Sequence, residues 1–132
     1  MASRIQAVHP VLMSRDVAAS LRFFARIGFV ERFRDRPGEP RYAGVERDGV
    51  ELHLQWHDAA RLERPGDRPT YRFLVADVDA LFAELGAAGA LEAGGSGSSP
   101  WREPAATPWG TREFHLRDPD GNGLQFYQLA SG

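Results

Sequence analysis

The chain has 132 residues, no cysteine, and 16 Lys+Arg against 18 Asp+Glu, giving a formal charge of −2 and a pI of about 6.1. That length supports one domain with its own core. The absence of thiols excludes disulfides and thiolate metal sites and points to a reducing cytoplasm. The scattered basic residues argue against nucleic acid as a partner, and no charged-then-apolar leader or membrane-length apolar run is visible.

In chain order, Ile5 to Met13 alternates loosely and reads as a strand. Ser14 or Asp16 can cap a following helix whose apolar positions are Val17, Leu21, Phe24 and Ile27, and Gly28 stops it. Phe29 to Arg34 reads as a strand, and residues 35–40 as a loop. Tyr42 to Glu46 and Val50 to Trp56 read as a hairpin turned by Arg47-Asp48-Gly49. Asp58 to Pro69 is polar and reads as a linker.

The plan then restarts. Thr70 to Val75 is a strand, Asp77 a cap, Val78, Leu81, Phe82 and Leu85 an apolar helical face, and Gly89 a stop. Each glycine follows its capping aspartate by 12 residues. Leu91 to Pro108 is rich in Gly, Ser and Pro, with one short strand at Trp101 to Glu103. A strongly punctuated hairpin closes the unit, Arg112 to Arg117 and Leu124 to Leu129 around Asp118-Pro119-Asp120-Gly121-Asn122-Gly123. This internal repeat predicts an α+β fold: two tandem βαβββ modules, about residues 3–57 and 68–130, forming curved mixed sheets around a trough. One domain spans 1–132, with module 1 at 1–58 and module 2 at 68–132.

Alternation assigns the faces. Val50, Leu52, Leu54 and Trp56 share one side of their strand, while Glu51, His53, Gln55 and His57 share the other. Leu124 and Phe126 oppose Gln125 and Tyr127. Tyr71, Phe73 and Val75 turn to the core and leave Thr70, Arg72 and Leu74 opposite. His9, Val11 and Met13 share a face of the first strand.

The sequence resembles the vicinal oxygen chelate superfamily, which includes glyoxalase I, extradiol dioxygenases, fosfomycin-resistance enzymes and bleomycin-resistance proteins. His9 before Asp16-Val17, the run to Gly28-Phe29, Asp48-Gly49-Val50-Glu51-Leu52, Val75-Ala76-Asp77-Val78 and Pro108-Trp109-Gly110 with Asp118-Pro119-Asp120-Gly121-Asn122 carry the likeness over nearly the whole chain. Its short length and its ending are most similar to the bleomycin-resistance branch. The resemblance implies four inward positions for a divalent metal (Zn, Mn, Fe or Ni), carried onto His9, Glu51, Thr70 and Gln125, with Glu51 matching Gln125 in the repeat. Thr70 is not a normal ligand and Gln125 is a rare one. If a metal binds, His9, Glu51 and Gln125 hold it, with His53 or His115 as substitutes. No cofactor is expected, because two good ligands from one module do not close a site. The resemblance also implies a homodimer with small-molecule grooves built by both subunits.

Other chemistry is thin. Gly94-Gly95-Ser96-Gly97-Ser98-Ser99 lacks the lysine of a phosphate loop and reads as a lid or a plain loop. Trp101 and Trp109 can stack on a planar ligand, and Trp109 can equally plug a dimer contact. Arg72 favours an anionic or carbonyl-bearing ligand, or pairs with Glu51. Glu113 and His115 form an acid–base pair or a solvated strand face. The expected function is metal-free small-molecule binding by sequestration, antibiotic or other natural product, lined by His9, Glu51, His53, Arg72, Trp101, Trp109, His115, Gln125 and Tyr127. The alternative is a metal-dependent lyase, isomerase or dioxygenase. The expected partners are a small-molecule ligand and a second copy of the chain, with no nucleic acid and no membrane.

Overall fold

The computed structural model describes residues 2–62, 68–91 and 99–130. Its elements are β1 (Val11–Ser14), α1 (Val17–Arg26), β2 (Val30–Arg34), β3 (Tyr42–Arg47), β4 (Val50–Trp56), α2 (Ala59–Leu62), β5 (Thr70–Leu74), α3 (Val78–Ala87), β6 (Ala105–Ala106), β7 (Thr111–Arg117) and β8 (Gly123–Leu129). Two mixed four-stranded sheets result, ordered β1-β4-β3-β2 and β5-β8-β7-β6. In each, the first strand lies parallel to the last and the remaining pairs run antiparallel. The fold is therefore α+β, built from two βαβββ units.

Local chemistry sets the elements where the sequence places them. Asp16 accepts the Ala19 amide at 3.1 Å, and Asp77 accepts the Ala80 amide at 3.0 Å. Both satisfy an otherwise orphaned helix-start donor. Gly28 and Gly89 end the helices at φ 87° and 74°. The first hairpin turns on Asp48 (φ 52°) and Gly49 (φ 82°), two successive left-handed residues, which is the geometry a two-residue turn needs to match strand twist.

Three boundaries differ from the sequence reading. The first strand is Val11–Ser14, not Ile5 to Met13, and residues 2–10 form no regular element. Pro10 has no amide to give a ladder and ends the pairing. The proposed strand at Trp101 to Glu103 is a turn bracketed by Pro100 and Pro104, and the strand falls at Ala105–Ala106. The linker carries a short helix, α2, whose start is capped by Asp58 on the Ala60 amide at 2.9 Å. Its Pro65-Gly66-Asp67 lies outside the described residues, as does most of the Gly94 to Ser99 loop.

One apolar core joins the modules. Leu12, Phe24, Leu52, Leu54, Leu85, Phe114 and Leu124 are all but inaccessible. Phe29 of module 1 meets Phe73 of module 2 edge-on, and Phe73 stacks on Phe126. Val50 and Trp56, at the strand ends, stay 46% and 36% exposed rather than joining Leu52 and Leu54. The long second turn also bolts the modules together. Buried Asp120 accepts the Arg15 amide and guanidinium and the Ser20 hydroxyl, and Asn122 donates to the Met13 carbonyl. Among the described residues no helix is long and apolar enough to cross a membrane.

Candidate functional site

Each helix covers one face of its own sheet, so the polar residues between the core residues on β4, β5, β7 and β8 stand on the opposite, open faces.

On module 1, Glu51 and His53 sit two apart on β4. The His53 Nε2 lies 2.7 Å from a Glu51 oxygen, and its Nδ1 lies 2.7 Å from the Tyr42 hydroxyl. His9 stacks on His53 at 4.7 Å between ring centroids, with its Nε2 3.8 Å from Glu51. The hydrogen bond to His53 holds the Glu51 carboxyl below its usual range, against the upward push of burial. His9, Glu51 and His53 bring one donor atom each within 4.8 Å of one another. Phe33 lies edge-on to His53, and it fits because its neighbour is Gly44, where a Cβ would come within 2.3 Å of the ring.

On module 2, Glu113 is the hub. It is fully buried and accepts from Arg72 (3.2 Å to each oxygen), Trp109 Nε1 (3.2 Å), Thr111 (2.5 Å) and His115 (2.5 Å). Burial raises its pKa, but the hydrogen bonds from Arg72, His115 and Thr111 and the Arg72 charge outweigh it and bring the carboxyl down to about 2. Arg72 also donates to the Gln125 side chain at 2.6 Å and lies over the Tyr127 ring at 4.3 Å. Trp101 meets both Trp109 and His115, at 5.2 and 5.3 Å between centroids. Trp109 is 56% exposed.

All nine predicted lining residues thus stand on two clusters, with His9, Glu51 and His53 on one and Arg72, Trp101, Trp109, His115, Gln125 and Tyr127 on the other. Among the described residues no hydrogen bond, ion pair or ring contact joins the clusters. The pairing of Arg72 with Glu51 does not occur, because Glu113 on β7, two strands away in its own sheet and across β8, takes the guanidinium. The repeat alignment also shifts. Strand register sets Val11 opposite His53 and Arg72 opposite Gln125, so His53 rather than Glu51 corresponds to Gln125.

Two site residues escaped the sequence reading. Glu113, in sequence half of an acid–base pair or a solvated strand face, is the most thoroughly bonded group described on its sheet. Tyr42 is not among the sequence candidates. The two-residue turn sets Tyr42 opposite Gln55, on the side of His53, which was the available signal.

The donor set can be tested against the four-ligand metal pattern that the resemblance implies. Module 1 offers His9 and Glu51. Module 2 offers Thr70, exposed beside Gly123, and Gln125, whose oxygen already accepts from a guanidinium. A fixed positive charge on that oxygen opposes a cation there, so the four positions do not fit such a group.

Fold and site define a paired-module protein with open polar faces. The family model for the Glyoxalase/Bleomycin resistance protein/Dioxygenase superfamily matches residues 6–126, and the chain belongs to that superfamily. Solved structures agree in fold. The chain is 24% identical to a bleomycin resistance determinant encoded on the transposon Tn5, covering 95% of this chain and 98% of that one, with a TM-score of 0.76. It is 24% identical to a bleomycin-binding protein complexed with bleomycin, over 94% and 98% of the two chains, with a TM-score of 0.75. It is 28% identical to the bleomycin-binding protein of Streptomyces verticillus complexed with copper(II)-bleomycin, over 99% and 100%, with a TM-score of 0.67. None of the curated proteins matches the chain.

Proposed function

We propose that the protein is a cytoplasmic homodimer that sequesters a small natural product without a resident metal and without making or breaking a bond. The observation that carries this reading is the Arg72–Glu113–Gln125 wall. Where a metal-dependent relative needs donors for a cation, this chain holds a neutralised ion pair flanked by Trp101, Trp109 and Tyr127. Such a wall suits stacking and hydrogen bonding to a planar, polar molecule.

A one-sided geometry supports the dimer. A drug-sized ligand is held by burying roughly 70–90% of its surface, and a single open face cannot do that. Among the described residues no hydrogen bond, ion pair or ring contact joins the two faces within one chain; in this reading a second copy supplies the second wall, with a two-fold axis setting module 1 of one subunit against module 2 of the other. Exposed Val11 and Phe33 on one face, Leu129 on the other, and Ile5 and Val8 in the amino-terminal segment supply apolar area for the contact.

Metal-free bleomycin is the first probe, since two similar structures hold that drug. The near-neutral charge of this chain weakens the pull on a cationic drug, so other planar natural products belong in the same thermal-shift screen. Binding that raises the melting temperature equally with and without a chelator supports the reading. A second reading, a metal-dependent lyase, isomerase or dioxygenase, rests on the closeness of His9, Glu51 and His53. A stoichiometric metal in chelator-free protein, lost in Glu51→Ala, would favour it instead.

A further inference from the structure

The two modules hold each other asymmetrically, and the asymmetry leaves a cavity. The helix caps set the repeat: Asp16 corresponds to Asp77, hence Met13 to Leu74, Arg15 to Ala76 and Ser20 to Leu81. In module 1, Met13, Arg15 and Ser20 receive the second hairpin's turn, the five residues Asp118–Asn122, through the Asp120 and Asn122 bonds. The corresponding place on module 2 faces the first hairpin, whose turn is only Asp48 and Gly49. Arg47 reaches across to Glu84 at 2.7 and 2.9 Å, but the turn is too short to fill the space behind it. What remains is a cavity of about 470 Å³, lined by Leu74, Ala76 and Leu81 among others, the counterparts of the residues that grip the other turn. Its emptiness shows in Phe73 and Val75, which are only half-buried, where their counterparts Leu12 and Ser14 are inaccessible.

We propose that this cavity is a second small-molecule site, independent of the polar faces, for an apolar molecule that carries an amine. The volume lies within the roughly 300–1,000 Å³ of ordinary ligand pockets. The floor is Phe29, Phe73, Leu85 and Phe126, with Leu81 where module 1 has a polar serine, so the occupant is apolar and cannot be a mimic of the carboxylate-bearing turn. The rim carries Asp48, Asp77 and Glu84. Among the described lining residues the one base, Arg47, is bonded to Glu84 and to Asp48. The rim therefore draws a cation and repels a carboxylate.

The test uses two probes of one shape and opposite charge, 4-phenylbutylamine and 4-phenylbutyrate, titrated into the isotope-labelled protein by NMR. The amine gives saturable shifts at Phe73, Leu81 and Phe126, and the acid binds at least about tenfold more weakly. Asp48→Asn, conservative at a left-handed residue, weakens the amine about threefold, the worth of one exposed charge pair. Ala80→Trp, at an exposed helix position on the cavity's edge, blocks the titration while leaving the remaining spectrum in place. Trp109→Ala, on the polar face, leaves it unchanged, so failure here and failure of the proposed function are separable. The proposal is overturned by no saturable shift, by shifts that map to Trp101 and His53 instead, by equal binding of the acid, or by an Ala80→Trp protein that still binds. Should Ala80→Trp not fold, Asp48→Asn and the probe comparison decide the matter alone.

Discussion

Glu113 offers the sharpest perturbation. In Glu113→Gln the side chain keeps its shape but exchanges an accepting oxygen for a donating NH2, in a ring of five donors from Arg72, Trp109, Thr111 and His115. Two or three charge-assisted bonds are lost or turned repulsive, each worth about 1.5–3 kcal/mol. Arg72 is 37% exposed and regains water, which discounts its share, so the net loss is about 2–4 kcal/mol. Urea unfolding reads this as a lower midpoint at unchanged slope. The pH dependence supplies a second check. The folded pKa of Glu113, about 2, lies below its ordinary 4.5, so its contribution is complete above pH 4.5 and fades as pH falls towards 2. The gap between wild type and variant therefore narrows over that window. A loss below about 0.5 kcal/mol at neutral pH, within the range of an ordinary surface change, or a gap that ignores pH, would refute the role assigned to Glu113.

Three further outcomes are expected. Burial raises the Asp118 carboxyl to about 6, against the bonds it accepts from Asn122; a carbon-detected NMR titration should place its midpoint there, and a midpoint near 3.8 would contradict the burial argument. Because that folded pKa lies above the unfolded one, Asp118 lowers stability as pH rises from 3.8 to 6, by at most about 3 kcal/mol, and Asp118→Asn should remove that slope from a stability-against-pH profile. Gly44→Ala should push Phe33 off His53, costing about 1–3 kcal/mol by overpacking and altering the ring-current shifts of His53; an unshifted His53 spectrum would count against the contact.

The sequence carried the architecture because its signals were local and doubled. Asp16 and Asp77 as caps, Gly28 and Gly89 as stops, and two punctuated hairpins all stand where the repeat puts them. What it missed depends on neighbours across strands. Glu113 looks like solvated alternation until Arg72 from β5 and Trp109 from the preceding loop close over it. The shift of Gln125 from Glu51 to His53 in the repeat is a matter of strand register, which motif spacing alone does not set. The cavity beside Asp48 was invisible because it arises from a difference in turn length acting at long range.

Native mass spectrometry of protein purified without chelator, with metal-free bleomycin and related planar natural products added, tests the central claim most directly. The account predicts a two-chain species that takes up two ligand molecules and carries no metal. A single-chain species, or one retaining a metal ion per chain whether or not ligand is present, would contradict it.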